Sequence, residues 1–429
     1  MAKPTLALIP ASQGSKLFSV LPSSGVGDFD FSRGSAATRI NSLGLIENVA
    51  SGQSRLDYPL IDGVVNGCPS LLLEPQRSNK VTYSEDFSNA YWALQRVSVL
   101  SNNEIAPNGT LTATKFTEDI SNNTHQTRPS SVTYISIGQA HTFTCFAKKA
   151  ERKEFRIENV GAYGVYFDLE NGTKVEDSAS QIVNSEIKEL SDGWYKCSVT
   201  ITETSRATDY IYLQIVKDGS NSYQGDGTSG IYIYGAQLEQ GSYPTSYIPN
   251  YGTSAGVTRS AETANGAGDA TTFNDSEGVL MAEIAFDSND GSFKIFGISD
   301  RTLDNRIVFY SNPDSNSIKL LTASSGVTQP ILDVTVSDIK SYQKILVSYR
   351  LNYISFWANG FEIATDLNTT TPIGLVELSL DNATNGNPFY GKTKQIQYFQ
   401  TALTDSELEE LTSWESFTAM AYGQTYSIK

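Results

Sequence analysis

The sequence predicts an all-β protein with an N-terminal extended arm, two β-sandwich domains of jelly-roll type and one short C-terminal helix. Aromatic residues that suit a half-buried pleated surface are frequent, with 23 Tyr and 19 Phe among 429 residues. Apolar and polar residues alternate in many short runs, as over residues 195–201. Turn dipeptides such as Asn171-Gly172 and Asn359-Gly360 separate these runs.

The pattern divides the chain into five segments. Residues 1–80 lack sustained periodicity, and we expect them to form an extended arm that orders against a neighbouring chain or the domain behind it. Residues 81–250 and 276–416 carry the two series of strands. Small and polar residues dominate 251–275, which predicts a linker, and residues 417–429 are expected to form a tail.

A helix is predicted over about residues 404–413, after the last strand. Thr404 can cap its N-terminus, and Glu407 stands at the reciprocal position of a capping box. Leu408 and Leu411 are then expected on the inner face of the helix.

Charge and hydropathy exclude several classes of partner. The chain has 31 Lys and Arg against 47 Asp and Glu, a formal net charge of −16. Phosphate backbones and anionic lipid surfaces are bound by basic residues, so we expect neither nucleic acid nor a membrane as partner. No stretch has the ~20 apolar residues of a membrane span. The N-terminal apolar run is too short for a signal peptide, which predicts synthesis in a cytoplasm.

Three runs in the N-terminal segment carry a resemblance to a known group of proteins. They are residues 31–39 (FSRGSAATR), 55–58 (RLDY) and 69–79 (PSLLLEPQRSN). They closely resemble a segment that recurs in phage and prophage structural proteins, ahead of a carbohydrate-binding-type jelly roll. The resemblance implies a bacteriophage virion protein, a fibre, spike or decoration protein of head or tail. It also implies contacts with other virion proteins through residues 1–80 and a homotrimer, the usual symmetry of such fibres.

The two strand series carry resemblances of their own. Residues 192–195 (DGWY), 235–239 (GAQLE) and 243–249 (YPTSYIP) resemble landmarks of carbohydrate-binding-type jelly rolls. Residues 354–360 (ISFWANG) and 402–408 (ALTDSEL) resemble the hairpin and the final helix of concanavalin A-like, laminin G-type domains. The resemblance implies a lectin-like fold for the C-terminal part.

Catalytic motifs are missing from the sequence, so we expect no enzyme. A glucanase on such a fold needs carboxylates spaced Glu-x-Asp on one strand, and no Glu-x-Asp occurs. His125 and His141 are the only histidines, and His125 lies in a polar run that predicts an exposed loop. The cysteines form no C-x-x-C pair. Cys145 and Cys197 are expected to be buried free thiols, with a disulfide between them as the alternative.

Calcium is the one cofactor that the sequence leaves open, because it needs only oxygen ligands. The loop with Asp381, Asn382 and Asn385 offers several, as does the run 287–290. The alternative interpretation is an ordinary Asx-rich turn, which needs no metal.

Tyrosine-rich strands are the candidates for sugar binding, since exposed aromatic faces stack on pyranose rings. The candidates are Tyr210 and Tyr212 on one strand and Tyr232 and Tyr234 on another. They fit equally a core or an oligomer contact. The resulting hypothesis is adhesion to a host-surface polysaccharide; the alternatives are a purely structural decoration protein and, less favoured, a glycan-degrading tailspike.

Overall fold

Antiparallel strands make up most of the regular structure. A computed structural model describes residues 3–13, 15–131, 133–134, 136–205, 208–209, 211–311 and 316–414, and the predicted tail lies outside them. The described part has many sheets and one short α-helix near its C-terminal end, which confirms the predicted all-β class. No helix of that part is long and apolar enough to cross a membrane.

The N-terminal segment contains a series of short strands. In chain order they are β1 (Leu6–Leu8), β2 (Ser12–Gln13), β3 (Lys16–Leu17), β4 (Phe29–Ser32), β5 (Ala37–Ile40), β6 (Ile46–Val49), β7 (Arg55–Asp57), β8 (Leu60–Ile61), β9 (Val64–Val65), β10 (Ser70–Leu73) and β11 (Arg77–Asn79). β5 pairs with β6 and β8 with β9. β2, β3 and β4 form a four-stranded antiparallel sheet with a strand at Thr263–Asn265, and the remaining strands pair with strands farther along the chain.

Two stacked sheets then form the first sandwich. Its strands are β12 (Trp92–Gln95), β13 (Val97–Ile105), β14 (Leu111–Glu118), β15 (Asn122–Pro129), β16 (Thr133–Tyr134), β17 (Ala140–Lys149), β18 (Glu154–Asn159), β19 (Gly164–Asp168), β20 (Thr173–Glu176), β21 (Ile182–Glu189), β22 (Trp194–Thr202), β23 (Thr208–Asp209), β24 (Ile211–Val216), β25 (Ser222–Gln224) and β26 (Gly230–Gln240). Sheet I has the order β12-β15-β24-β18-β19-β20, and sheet II the order β13-β14-β26-β17-β22-β21.

The inner faces of sheets I and II hold one apolar core. Cys145 and Cys197 face each other there across β17 and β22, fully buried and with no disulfide between them. Burial raises the pKa of both thiols. The exposed loop predicted around His125 is wrong. Its ring is fully buried on β15, with Nδ1 2.9 Å from the Arg96 carbonyl oxygen. The polar run misled because alternate residues of β15, such as Gln126, face outward.

The second sandwich follows two short strands, β27 (Val257–Arg259) and β28 (Thr263–Asn265). It contains β29 (Glu277–Phe286), β30 (Ile295–Ser299), β31 (Arg306–Ser311), β32 (Ser317–Ser324), β33 (Val327–Thr328), β34 (Leu332–Thr335), β35 (Gln343–Arg350), β36 (Tyr353–Ala358), β37 (Phe361–Asp366), β38 (Glu377–Ser379), β39 (Gly391–Phe399) and the helix α1 (Asp405–Thr412). Sheet III has the order β37-β36-β35-β29-β39, and sheet IV the order β33-β32-β31-β30-β38.

The hairpin turn and the capped helix predicted for this sandwich are both present. Asn359 and Gly360 have φ of 51° and 90°, the left-handed values that a two-residue hairpin turn requires. The capping box is present, with the Thr404 N–H donating to Glu407 Oε2 at 3.0 Å. Leu408 and Leu411 pack with Trp357 on the outer face of sheet III.

The N-terminal segment joins the two sandwiches. β1 and β10 both pair with β39, and β7 continues sheet III beyond β10. Leu6, Phe29 and Leu71 are buried in the core of the second sandwich. Ile40 and Leu60 pack instead against the outer face of sheet II, beside Phe146 and Trp194. The segment therefore orders against both sandwiches of its own chain.

The segment 251–275 differs from a plain linker. β27 pairs with β11, and β28 pairs with β4. Arg259 and Glu262 are fully buried although large apolar residues are scarce around them. These two buried residues are charged. The low content of large apolar residues in this segment therefore does not predict their burial.

A buried ion cluster ties the N-terminal segment to this stretch. We use the name ion cluster for Arg33, Arg55, Glu74, Arg259 and Glu262. Glu262 accepts from Arg33 Nη1 at 2.7 Å and from Arg55 Nε at 2.8 Å. Glu74 Oε2 lies 2.8 Å from Arg55 Nη1 and 2.8 Å from Arg259 Nη1. Such charges are tolerated in a core only when each is paired and hydrogen-bonded.

The carboxylate of Glu74 depends on this pairing. Burial opposes its ionisation, but Arg259 and Arg55 more than offset burial and hold its pKa well below the ordinary value. Burial likewise disfavours the charge on Arg55, and the two glutamates reverse that effect and raise its pKa. Glu74 and Arg55 therefore hold each other in the charged form.

Replacing Glu262 by Gln tests the structural weight of the ion cluster. Glutamine has no negative charge, so the buried guanidinium groups of Arg33 and Arg55 lose a counter-charge. We expect the free energy of unfolding to fall by about 3–5 kcal/mol. Urea unfolding measures the change. Glu47→Gln is the control, because Glu47 forms a partly exposed pair with Arg39 at 2.8 Å and its loss costs about 1 kcal/mol or less. Equal effects of the two substitutions contradict the assignment.

Ionisation of Glu74 should make the stability of the protein depend on pH. Its folded pKa is depressed, so the stabilisation is present above the ordinary value of 4.5 and is lost as pH falls below it. We expect the wild type to unfold at higher temperature than Glu74→Gln near pH 7, with a gap that narrows below pH 4.5. A gap that is constant with pH would show that Glu74 is not ionised by its partners.

Candidate functional site

The outer face of sheet I carries a row of polar side chains in register. Gln95 pairs with Gln126, Gln126 with Gln214, Gln214 with Arg156, and Arg156 with Tyr166. Cross-strand partners project to the same face of a sheet. We call these five residues the polar row. The strand neighbours of Arg156, Gln214 and Tyr166 are apolar and fill the core, which directs these three side chains outward.

Hydrogen bonds fix the orientation of each amide in the row. Gln126 Nε2 donates to Gln95 Oε1 at 2.7 Å, and Gln214 Nε2 donates to Gln126 Oε1 at 2.8 Å. Asn221, on the loop after β24, donates to Gln214 Oε1 at 3.1 Å. Gln214 is only 1% exposed, so it forms a rigid floor.

Arg156 is the centre of the row. Its guanidinium lies 4.3 Å from the centroid of the Tyr166 ring, and Nη1 donates to the Tyr166 hydroxyl. Nη2 lies 2.6 Å from Glu158 Oε2 and 2.7 Å from Asp177 Oδ2. Nε is buried and has no hydrogen-bond partner among the described residues. A buried donor left unpaired is costly to the folded state.

A second row flanks the polar row on the same face. Tyr212 lies opposite Glu158 and is half-buried. Arg128, two residues from Gln126 on β15, donates to the Pro129 carbonyl oxygen at 2.9 Å. Burial raises the pKa of Glu158, against the opposing effects of Arg156 and Gln214. Aromatic faces thus stand beside amide, guanidinium and carboxylate groups, the chemistry that recognises sugar rings and hydroxyls.

The four predicted tyrosines do not form one platform. Tyr212 lies on the outer face of sheet I, and Tyr210 falls outside the described residues. Tyr232 and Tyr234 lie on β26 of the other sheet. Tyr234 is 2% exposed and donates to Glu85 Oε1 at 2.9 Å, whereas the Tyr232 ring lies 6.0 Å from the Lys115 ammonium.

The polar row was missed at the level of sequence. Its signal is the alternation in β18 and β24, which places Arg156 and Gln214 at the polar positions between buried apolar ones. Which strands are neighbours decides whether such residues meet, and β18 and β24 are far apart in the chain. Local alternation cannot supply that pairing.

The loop predicted to bind calcium uses its side-chain oxygens in its own turns and in contacts with Asn265. Asp381 Oδ1 accepts from the Ala383 N–H at 2.7 Å, and its Oδ2 accepts from Asn265 Nδ2 at 2.8 Å. Asn382 Oδ1 accepts from the Gly386 N–H at 2.9 Å, and Asn385 Oδ1 from Asn265 Nδ2 at 3.3 Å. Calcium binding at Asp381, Asn382 and Asn385 stays a prediction.

The other oxygen-rich loop, 287–290, surrounds a cation of the protein itself. The Lys294 ammonium is buried and lies 2.8 Å from Asp290 Oδ1, 3.0 Å from Ser288 Oγ and 3.3 Å from Asp287 Oδ1. Among the described residues no group of three or more His, Cys, Asp or Glu is arranged to hold a metal.

No protein-family model matches the sequence, and no curated protein matches it. Similar solved structures include a carbohydrate-binding module of a Ruminococcus gnavus sialidase, with 17% identity and a TM-score of 0.29 over 34% of this chain and 88% of that one. A domain of a Geobacillus stearothermophilus arabinanase, in complex with arabinotriose, has 16% identity and a TM-score of 0.29 over 36% and 73%. Domains LG4-5 of mouse laminin α1 have 11% identity and a TM-score of 0.23 over 66% and 90%. Similarities this weak assign no ligand to the chain.

Added calcium tests the loop of Asp381. Because its side-chain oxygens already accept hydrogen bonds within the loop, we expect about 1 mM calcium, enough to load weak extracellular-type sites, to leave the unfolding temperature unchanged. Magnesium at the same ionic strength is the control. A rise with calcium that Asp381→Asn abolishes would establish the predicted site.

Proposed function

We propose that the chain is a non-enzymatic glycan-binding protein and that the outer face of sheet I is its binding face. The observation that carries this proposal is the polar row, in which a buried, partly unsatisfied Arg156 stands between fixed amides and the Tyr166 ring. Sugar sites combine a few oriented polar groups with aromatic faces, and this face offers both.

The charges on this face favour binding over bond cleavage. A glycosidase needs one carboxylic acid and one carboxylate flanking the scissile bond. Here Glu158 and Asp177 both bond to Arg156, so the same guanidinium holds both acidic groups. Ion pairing of both carboxylates with one guanidinium supports recognition of hydroxyls over bond cleavage.

The setting that we propose for this activity is the surface of a phage particle, where the protein attaches to host polysaccharide. The support is the resemblance of residues 31–39, 55–58 and 69–79 to phage structural proteins. Part of residues 1–80 packs within the chain, and exposed residues such as Leu43 and Val64 remain for other virion proteins. Antibody labelling of intact particles tests this setting, and absence of label from head and tail alike contradicts it.

Substitutions on the binding face test the proposed function. On an array of bacterial polysaccharides, we expect Tyr212→Ala and Arg156→Met each to weaken binding of the full chain about tenfold or more, the range for losing one oriented contact. The Tyr212 side chain makes no hydrogen bond with the described part of the chain, so its truncation should leave the fold intact.

Arg350→Met is the matched control, because Arg350 is exposed on the second sandwich and stacks on Tyr353 at 4.4 Å. We expect its affinity to equal that of the wild type. If Tyr212→Ala and Arg156→Met both bind polysaccharide as tightly as the wild type does, the binding site lies elsewhere. A wild-type chain that binds no polysaccharide contradicts the proposed function and favours a purely structural decoration role.

A further inference from the structure

Three lysines meet where the first sandwich faces the second. Lys188 on β21 and Lys196 on β22 are direct cross-strand partners on the outer face of sheet II. Lys392 comes from β39 of the second sandwich and is paired with Asp57. Asp57 accepts from the Ile40 N–H at 2.8 Å, and Ile40 packs on this same face of sheet II. We call the three lysines the lysine cluster. Its position is on the sheet opposite to the polar row.

Two of the three ammonium groups have partners. Lys392 Nζ lies 2.8 Å from Asp57 Oδ2, and Lys196 Nζ donates to the Thr245 carbonyl oxygen at 2.8 Å. Lys188 forms no salt bridge or hydrogen bond with any residue that the structure describes, and its side chain is exposed. The groups that face it are Lys392, Glu186, Asp57 and Lys196.

The positive charges of the lysine cluster repel one another. Like charges directly opposite on neighbouring strands repel. Three basic residues cluster here although the chain as a whole carries a net charge of −16. The positive charge of Lys392 is the largest cause that lowers the pKa of Lys188, to about 8, as this repulsion requires. A bound anion would relieve it and would restore the ordinary pKa.

We propose that the lysine cluster is an oxyanion-binding site, with Lys188 as the free contact and Lys196 and Lys392 as flanking charges. The ligand chemistry is a sulfate, phosphate or carboxylate group. It can arrive as a free ion or as the acidic substituent of a glycan. The site is independent of the polar row, and in an acidic glycan it would contact a different part of the polymer.

Titration of the full chain with sodium sulfate at constant ionic strength tests the site. We expect Lys188→Gln to weaken sulfate binding about tenfold, the loss of one charge-assisted hydrogen bond. Lys340→Gln removes the same charge from an exposed residue of the second sandwich and should bind as the wild type does. Equal binding by all three proteins, or none by the wild type, overturns the proposal.

A pH series separates this site from general attraction. Wild-type binding should fall as pH rises through about 8, where free Lys188 loses its proton, whereas Lys188→Arg should keep its affinity because guanidinium stays charged. A parallel loss in both proteins overturns the assignment to Lys188.

The source of the oxyanion is distinguished by comparing dextran sulfate with free sulfate and with neutral dextran. Tighter binding of dextran sulfate that Lys188→Gln reverses indicates a glycan substituent, and equal affinity for both sulfates indicates a free ion. Arg156→Met should leave sulfate binding unchanged, so failure of the polar row and failure of the lysine cluster give different results. Binding of neutral dextran that depends on Lys188 contradicts an oxyanion site.

Discussion

The ion cluster is the constraint on which the rest of the structure depends. Arg33, Arg55 and Glu74 come from the N-terminal segment, while Arg259 and Glu262 come from the stretch between the sandwiches. None of these charges can be left unpaired in the core, so all five must be placed together. The requirement makes folding of the N-terminal segment conditional on the middle of the chain. It explains why a stretch poor in large apolar residues is nevertheless buried.

Two consequences for function follow from that joint placement. The N-terminal strands cover part of the outer face of sheet II, through contacts such as that of Ile40 with the cluster around Trp194. The outward polar face of sheet I, where Arg156 stands, lies on the other side of the first sandwich. The same placement brings Lys392, held by Asp57, towards Lys188 of the other sandwich. Both proposed sites therefore arise from one packing arrangement.

Sequence predicts the parts of this fold that local rules govern. The hairpin at Asn359 and the helix capped by Thr404 depend on residues a few positions apart, and both are present. The pairing of Arg55 with Glu262 spans 207 positions and has no local signal. The resemblance of the N-terminal runs to other proteins does not identify the residues with which their charged side chains form ion pairs. The polar row was missed for the same reason, because register between distant strands places Gln214 beside Arg156.

Side-chain footprinting of the full chain with and without its tightest-binding polysaccharide tests the central claim most directly. Hydroxyl radicals modify exposed tyrosines, and Tyr166 and Tyr212 are half-exposed on the outer face of sheet I, while Tyr251 is exposed elsewhere. The account predicts that bound polysaccharide protects Tyr166 and Tyr212 and leaves Tyr251 reactive. Bound polysaccharide that leaves Tyr166 and Tyr212 as reactive as in the free protein would contradict it.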